Sequence, residues 1–259
     1  MPALILQPAV LSEVGLRGNN EDAAFASPRL VAVADGVGGA AAGERASRAA
    51  IMKLASLDKR RLVNALETEL ADAIADANDL ISFGTFAEPR HAGMATTLTA
   101  VAMANDGRYL IANVGDSRTY LFRGGRLSQL TRDDSLVQEL IDQGDITEGE
   151  ARAHPQRSVV LSVLDGGKQK LLVLRAVDAQ AGDRLLLCSD GVSDYLADEE
   201  IAALLELDDA DDAVRQIVDA ALASGSRDNV TAVIADVTAR QDPEQGWLDA
   251  LPADGSLAG

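Results

Sequence analysis

The chain has 259 residues, 47% of them hydrophobic and 25% charged, enough for one large buried core or two small ones. Its formal net charge of −18 argues against nucleic acid and anionic membrane surfaces as partners. No apolar run approaches the roughly 20 residues that span a bilayer. Residues 1–15 lack the basic start and cleavage site of a signal peptide. The single Cys188 excludes an internal disulfide framework and fits a reducing compartment, so the expectation is a cytoplasmic protein.

Residues 10–26 read as a strand, a turn over 15–20 and a second short strand. The apolar, β-branched run at 30–34 reads as a buried strand, and the Ala-, Glu- and Arg-rich stretch after it as a helix over about 44–56. A longer helix is expected over about 60–83, because Leu62, Leu66, Leu70 and Ile74 recur every four residues. A strand to about 103, a hairpin at Asn105-Asp106-Gly107 and a strand to Asp116 follow, then a hairpin around Gly124-Gly125.

Residues 131–157 change character, and the expectation is a flap over a site. They carry a short amphipathic helix over 133–143, with Leu136, Val137, Leu140 and Ile141 on one face. Thr147 and Glu150 have capping-box spacing for a second. Strands are expected at 159–164, 170–178, 184–189 and 230–237, helices near 197–206 and 210–223, and a mobile tail over 240–259. Antiparallel strands with helices grouped in pairs predict an α+β fold: two packed sheets with a helix pair on each outer face.

Buried strands end repeatedly on an acid. The run at 30–34 leads to Asp35 and Gly36; RLLLCSD leads to Asp190 and Gly191; LIANVGD leads to Asp116. Glu21 and Asp22 precede one short strand, and Asp228 precedes the last. Carboxylates converging on one end of a sheet system need a cation to neutralise them. Oxygen donors alone imply a hard ion, Mg²⁺ or Mn²⁺, rather than zinc.

The motifs VGLRGNNED (14–22), DGVGGAAAGE (35–44), GMATT (93–97), VGDSR (114–118), the stretch 130–157, CSDGVSD (188–194) and GSRDN (225–229) resemble, in order, those of the bacterial metal-dependent type 2C serine/threonine phosphatases, the PPM family. The resemblance covers residues 10–237 and implies an αββα sandwich forming one catalytic domain over 1–239. It implies that Asp35 bridges two metal ions, that Gly36 offers its carbonyl, that Asp190 and Asp228 hold the first ion, and that Glu21 and Asp22 serve the second directly or through water. Asp116 and Asp194 match a pair holding a third, looser ion, and Arg17 matches the arginine that grips the substrate phosphate.

The implied activity is hydrolysis of phosphoserine and phosphothreonine in proteins by a water that two ions share and activate. A monomer opposing a separate Ser/Thr kinase is the corresponding expectation for partners. Many eukaryotic members carry a histidine, proposed as the general acid, where this chain has Val37; the nearby position that is often His in bacterial relatives is Ala40. His91 and His154 lack metal-ligand spacing, and Cys188 has no arginine six residues on, as a cysteine phosphatase requires.

Three rival readings are weighed against this one. Gly36-Val37-Gly38-Gly39-Ala40-Ala41 fits the loose dinucleotide pattern, but no second parallel strand ends in an acid about 20 residues on. A scaffold that has lost catalysis conflicts with the intact acid set. A phosphatase for small molecules differs only in its substrates.

Overall fold

The structure is a computed structural model that describes residues 4–38, 42–58, 65–88, 91–104, 106–168, 172 and 174–240. Two five-stranded antiparallel sheets face one another. The first runs β1 (Leu4–Glu13), β12 (Val230–Ala239), β11 (Arg184–Cys188), β8 (Arg118–Arg123) and β9 (Arg126–Gln129). The second runs β10 (Arg175–Asp178), β7 (Arg108–Val114), β6 (Leu98–Met103), β3 (Leu30–Ala34) and β2 (Ala23–Ala26). β4 (Gly36–Val37) and β5 (Ala95–Thr96) make a separate two-stranded ribbon.

The alternation of side chains along a strand builds three apolar layers. In β3, Val31 and Val33 point between the sheets, while Leu30, Ala32 and Ala34 face α1 (Ala42–Asp58) and α2 (Leu66–Ala87). In β11, Leu185 and Leu187 point between the sheets. Leu186 and Cys188 face the opposite helices, α5 (Asp190–Ser193), α6 (Asp198–Leu205) and α7 (Ala210–Ala223). Both strands are covered on both faces, which is why 30–34 and 185–188 read as unbroken apolar runs. The central layer is closed by hydroxyls as well: Thr99 Oγ1 and Thr119 Oγ1, both fully buried on opposite sheets, lie 2.7 Å apart.

The helices follow their local signals. α1 buries Ala46, Ala49, Ala50, Leu54 and Leu57, a one-face spacing. Ser135 caps α3 (Leu136–Gln143), which ends on left-handed Gly144, and the Thr147–Glu150 capping box opens α4 (Glu148–Arg152). Arg184 closes the end of α6 by donating to the carbonyls of Leu205, Leu207 and Asp208 while paired to Asp236.

The expected αββα arrangement is present, with differences in detail. α2 is described from Leu66 to Ala87, later than the expected 60–83; Leu62 and the expected helix start lie outside the described residues. Residues 159–164 form no strand and make only isolated bridges, Ser135↔Val160 and Thr96↔Leu164. Within 170–178 only Arg175–Asp178 is strand among the described residues. The four-residue α5 was not expected, because Gly191 disfavours helix. Asn105 and the tail from 241 onward lie outside the described residues. Among the described residues no helix is long and apolar enough to cross a membrane.

The Thr99–Thr119 contact yields a double-mutant test. Thr99→Val or Thr119→Val alone strands one buried hydroxyl and costs about 1–3 kcal/mol. The double variant removes both polar groups and loses clearly less than the sum of the two, as measured by urea denaturation.

Candidate metal centre and phosphate site

Antiparallel pairing brings the acids together. β3 and β7 both pair with β6, so their C-terminal ends lie at one end of the sandwich, where β2 begins. β11 ends and β12 begins at the corresponding end of the other sheet. Asp35, Asp116, Asp190, Asp228 and Asp22 flank those strand ends. A cavity of about 450 Å³ there is lined by Arg17, Glu21, Asp35, Gly36, Asp116, Asp190 and Asp228.

Each acid is held by its backbone or by one neighbour. The Asp35 N–H donates to Thr97 Oγ1 at 3.0 Å, and the Asp35 carbonyl accepts from Thr97 N at 2.9 Å and Thr96 Oγ1 at 2.8 Å. The two threonines thus fix the Asp35 backbone and leave its carboxylate to the cavity. Asp22 is buried; its Oδ2 accepts from Ser189 Oγ at 2.8 Å, while its Oδ1 has no hydrogen-bond partner. Asp190 Oδ1 is likewise buried without one.

Close backbone approach shapes the same end. A Cβ on Gly43 would lie 2.4 Å from Glu21 Oε2 and 2.7 Å from the Gly36 carbonyl oxygen, so only glycine lets α1 begin against the Asp-Gly turn. A Cβ on Gly191 would lie 2.0 Å from the Asn229 carbonyl oxygen. The glycine after Asp190 therefore lets the β11 end and the start of β12 touch.

The acids repel one another through little intervening solvent. Burial first, then the charges of Asp22 and Asp190, raises the Asp35 carboxyl well above its usual range. Burial, then Asp116 and Asp194, does the same to Asp190. Asp22 rises to about 6, chiefly through burial, and Asp116 to about 6 through burial and then Asp133. Burial raises Asp194 too, against the opposing pull of Arg157. Asp35 and Asp190 keep some exposed surface on the cavity side; the desolvation comes from the protein walls behind them.

One cation reaches the acids at the mouth. Arg17 Nη2 donates to Asp228 Oδ2 at 2.6 Å with 57% of its side chain exposed, and that bond raises the arginine's own pKa. Asp194, expected beside Asp116, stands in an adjoining cavity of about 160 Å³ that Asp116 and Asp190 also line. There it pairs with Arg157, Nε to Oδ2, at 3.4 Å. Among the described residues no three acids close into a finished ion cage. Arg17 engages one oxygen of Asp228, and the others stand around a shared space. The fit to a hard ion lies in the donor set, all oxygen, and in the two buried carboxylate oxygens that no protein group satisfies.

The sequence profile of protein phosphatase 2C matches residues 18–237. The chain belongs to the protein phosphatase 2C family. It is 45% identical over 236 residues to the serine/threonine protein phosphatase PstP of Mycobacterium tuberculosis, a match covering 90% of this chain and 45% of that protein. The chain thus spans less than half the length of this relative. It is 36% identical over 215 residues to the serine/threonine phosphatase stp of Listeria monocytogenes, covering 80% of this chain and 84% of that one. The crystal structure of the PstP catalytic domain in complex with two manganese ions superposes with a TM-score of 0.85 at 42% identity, covering 91% of this chain and 99% of that chain.

Several residues that shape this phosphatase-family site escape a search for charged groups. Thr97, Ser189 and Asn229 are buried, neutral, and hydrogen-bonded to the segments that carry the acids. Their signal lies in the motifs themselves, since Thr97, Ser189 and Asn229 each stand inside one. His154 is outside both cavities, and His91 is buried beside Glu88, its Nε2 3.6 Å from Glu88 Oε2. Cys188 is buried, with burial pushing its thiol up to about 12, so it is no nucleophile. A larger cavity, about 640 Å³, lies at the opposite end of the sandwich beside Arg184 and Asp236. Neither is free for chemistry, because Arg184 is committed to Asp236 and to the end of α6.

The raised carboxyls set the sign of a pH effect on the metal-free protein. A carboxyl whose folded pKa exceeds its unfolded value of 3.8 favours folding when protonated. That contribution is fully present below pH 3.8 and is lost as pH rises through the folded values, about 6 for Asp22 and Asp116. In EDTA, Asp35→Asn therefore melts above the parent protein at pH 8, and the gap narrows toward pH 5; thermal melts at both pH values check this.

Proposed function

We propose that the chain is a metal-dependent phosphoprotein phosphatase acting on phosphoserine and phosphothreonine. One observation carries the reading: five acids, Glu21, Asp35, Asp116, Asp190 and Asp228, line a single cavity whose mouth holds Arg17. Membership of the phosphatase 2C family and the likeness to serine/threonine phosphatases support it. So does the manganese-bound PstP structure.

In this reading Asp35 would serve both of two Mn²⁺ or Mg²⁺ ions, Asp190 and Asp228 would hold the first, Glu21 and Asp22 would serve the second directly or through water, and the Gly36 carbonyl would face one of the two. When bound, such ions supply Lewis-acid polarisation and a water of lowered pKa, so that no protein base is required. The all-oxygen donor set suits hard cations. Asp116 and Asp194 would hold a third, looser ion. Arg17, at the cavity mouth, offers a planar fork of N–H donors to two phosphate oxygens. Its bond to Asp228 is the one it would give up to take the phosphate.

Val37 offers no proton to the departing serine or threonine oxygen, so that proton comes from the side of the cavity bounded by Asp116 and Asp194. Residues 131–157 form a flap beside that side, and residues 1–239 make up one catalytic domain. The substrates are phosphorylated proteins, supplied by a Ser/Thr kinase, and the enzyme acts as a monomer in the cytoplasm.

A phosphothreonine peptide is turned over with Mn²⁺ by the parent chain only. EDTA or Asp35→Ala abolishes turnover in a phosphate-release assay, and equal rates in all three conditions would overturn the assignment. Asp194→Ala lowers kcat for the same peptide on the order of a hundredfold. It lowers kcat far less for p-nitrophenyl phosphate, whose leaving group needs no proton; equal losses on both substrates would count against the proton route.

A further inference from the structure

Asn229 is neutral and only 4% exposed, yet it bonds to several segments of the site. Its Nδ2 donates to the carbonyls of Val14 and Asn19, each at 2.9 Å, and its Oδ1 accepts from the Glu21 N–H at 2.8 Å. Val14 and Asn19 bracket the turn that carries Arg17, itself closed by the Arg17 N–H donating to the Val14 carbonyl at 3.3 Å. The side chain therefore clamps both ends of that turn and Glu21, two residues beyond it.

The clamp continues a ladder that has run out. β1 and β12 pair residue by residue until Glu13↔Val230. One step further, the backbone of β1 turns away, and the Asn229 amide supplies the donors and acceptor that a strand would have supplied. The same residue reaches the acids: its N–H donates to Asp228 Oδ1 at 2.8 Å, and its carbonyl is the atom that excludes a Cβ at Gly191, beside Asp190. Gly15, at φ +59°, packs against the Asp228 carbonyl, where a Cβ would stand 2.2 Å away. The turn and the start of β12 are thus in direct contact with no slack between them.

Arg17 needs this support. Its guanidinium makes one bond, to Asp228, and is more than half exposed. Its direction is set by where the turn backbone sits.

We infer that Asn229 is a positioning residue for substrate phosphate: by clamping Val14, Asn19 and Glu21 it holds Arg17 in register with the acid-bearing start of β12. This rests on the phosphate-gripping role of Arg17 proposed above. Asn229 acts through Arg17, so its loss weakens phosphate binding and leaves the chemistry after binding largely intact. Misplacing a binding group by about 1 Å is sufficient for a clear loss.

The test measures kcat and KM for p-nitrophenyl phosphate at saturating Mn²⁺ in the parent, Arg17→Ala, Asn229→Ala, Asn229→Asp and the Arg17→Ala/Asn229→Ala pair. Asn229→Ala is expected to raise KM about tenfold with kcat changed less than about threefold. Asn229→Asp keeps the acceptor for the Glu21 N–H but has no N–H for Val14 and Asn19, so it raises KM at least as much; it decides the matter if Asn229→Ala fails to fold. In the Arg17→Ala background the Asn229→Ala effect on KM shrinks to less than about twofold, because the group it positions is gone.

A KM within about twofold of the parent in both Asn229 variants overturns the inference. So does a KM effect that multiplies undiminished onto Arg17→Ala, which is what a general loss of structure would give. An unchanged KM in Arg17→Ala itself sinks the phosphate-gripping reading and takes this inference with it.

Discussion

Mutual repulsion among carboxylates at one end of the sandwich is the constraint to which the rest of the structure answers. Two sheets of antiparallel strands deliver Asp22, Asp35, Asp116, Asp190 and Asp228 to that end. Burial raises several of them far from their solution behaviour. Left to themselves, such groups favour any rearrangement that separates them. The three apolar layers resist it: Val31, Val33, Leu185, Leu187 and Val233 lock the sheets face to face, and the helix pairs lock each sheet from outside. The hydrophobic core thus stabilises a fold whose functional end opposes folding, a common trade between stability and activity.

The order of the strands and the acids at their ends were legible because both leave strong local marks. A strand covered on both faces has to be apolar along its covered length, as 30–34 and 185–188 are, and an acid closing such a run is conspicuous. The first helix was legible from its Ala-, Glu- and Arg-rich composition, and the second from the four-residue spacing of Leu66, Leu70 and Ile74. What the sequence hid depends on partners distant along the chain. Residues 159–164 have the composition of a strand, yet they meet only isolated partners, Ser135 and Thr96, and form no ladder. The roles of Ser189 and Asn229 are also invisible locally, because each is defined by partners up to 215 residues away. The pairing of Arg17 with Asp228 belongs to the same class, linking residues 211 apart.

Neutral hydrogen bonding and charge divide the work at the site. Thr96 and Thr97 hold the backbone of Asp35, so its carboxylate is not needed to fix the turn. Asn229 does the same for the turn before Glu21. Buried amides and hydroxyls are suited to this because, once satisfied, they carry no net charge to disturb the acids beside them. The glycines complete the arrangement by letting the backbones of α1, the Asp-Gly turn and the start of β12 come within contact of one another.

The excursion between β9 and β10 leaves and re-enters the body at nearly one point. Ser135 bridges Val160, and Leu136 N–H donates to the Val159 carbonyl at 2.9 Å. Asp134 spans both sides, donating to the Gly115 carbonyl at 2.9 Å and accepting from Leu161 N–H at 2.7 Å. A loop whose two stems are stitched together at the root behaves as a cassette. Its contents can lengthen, shorten or be traded for another sequence while the strands below register no change. The fold therefore offers evolution, or a protein engineer, a socket at the lip of the cavity in which new recognition surfaces can be seated without rebuilding the acid cluster beneath.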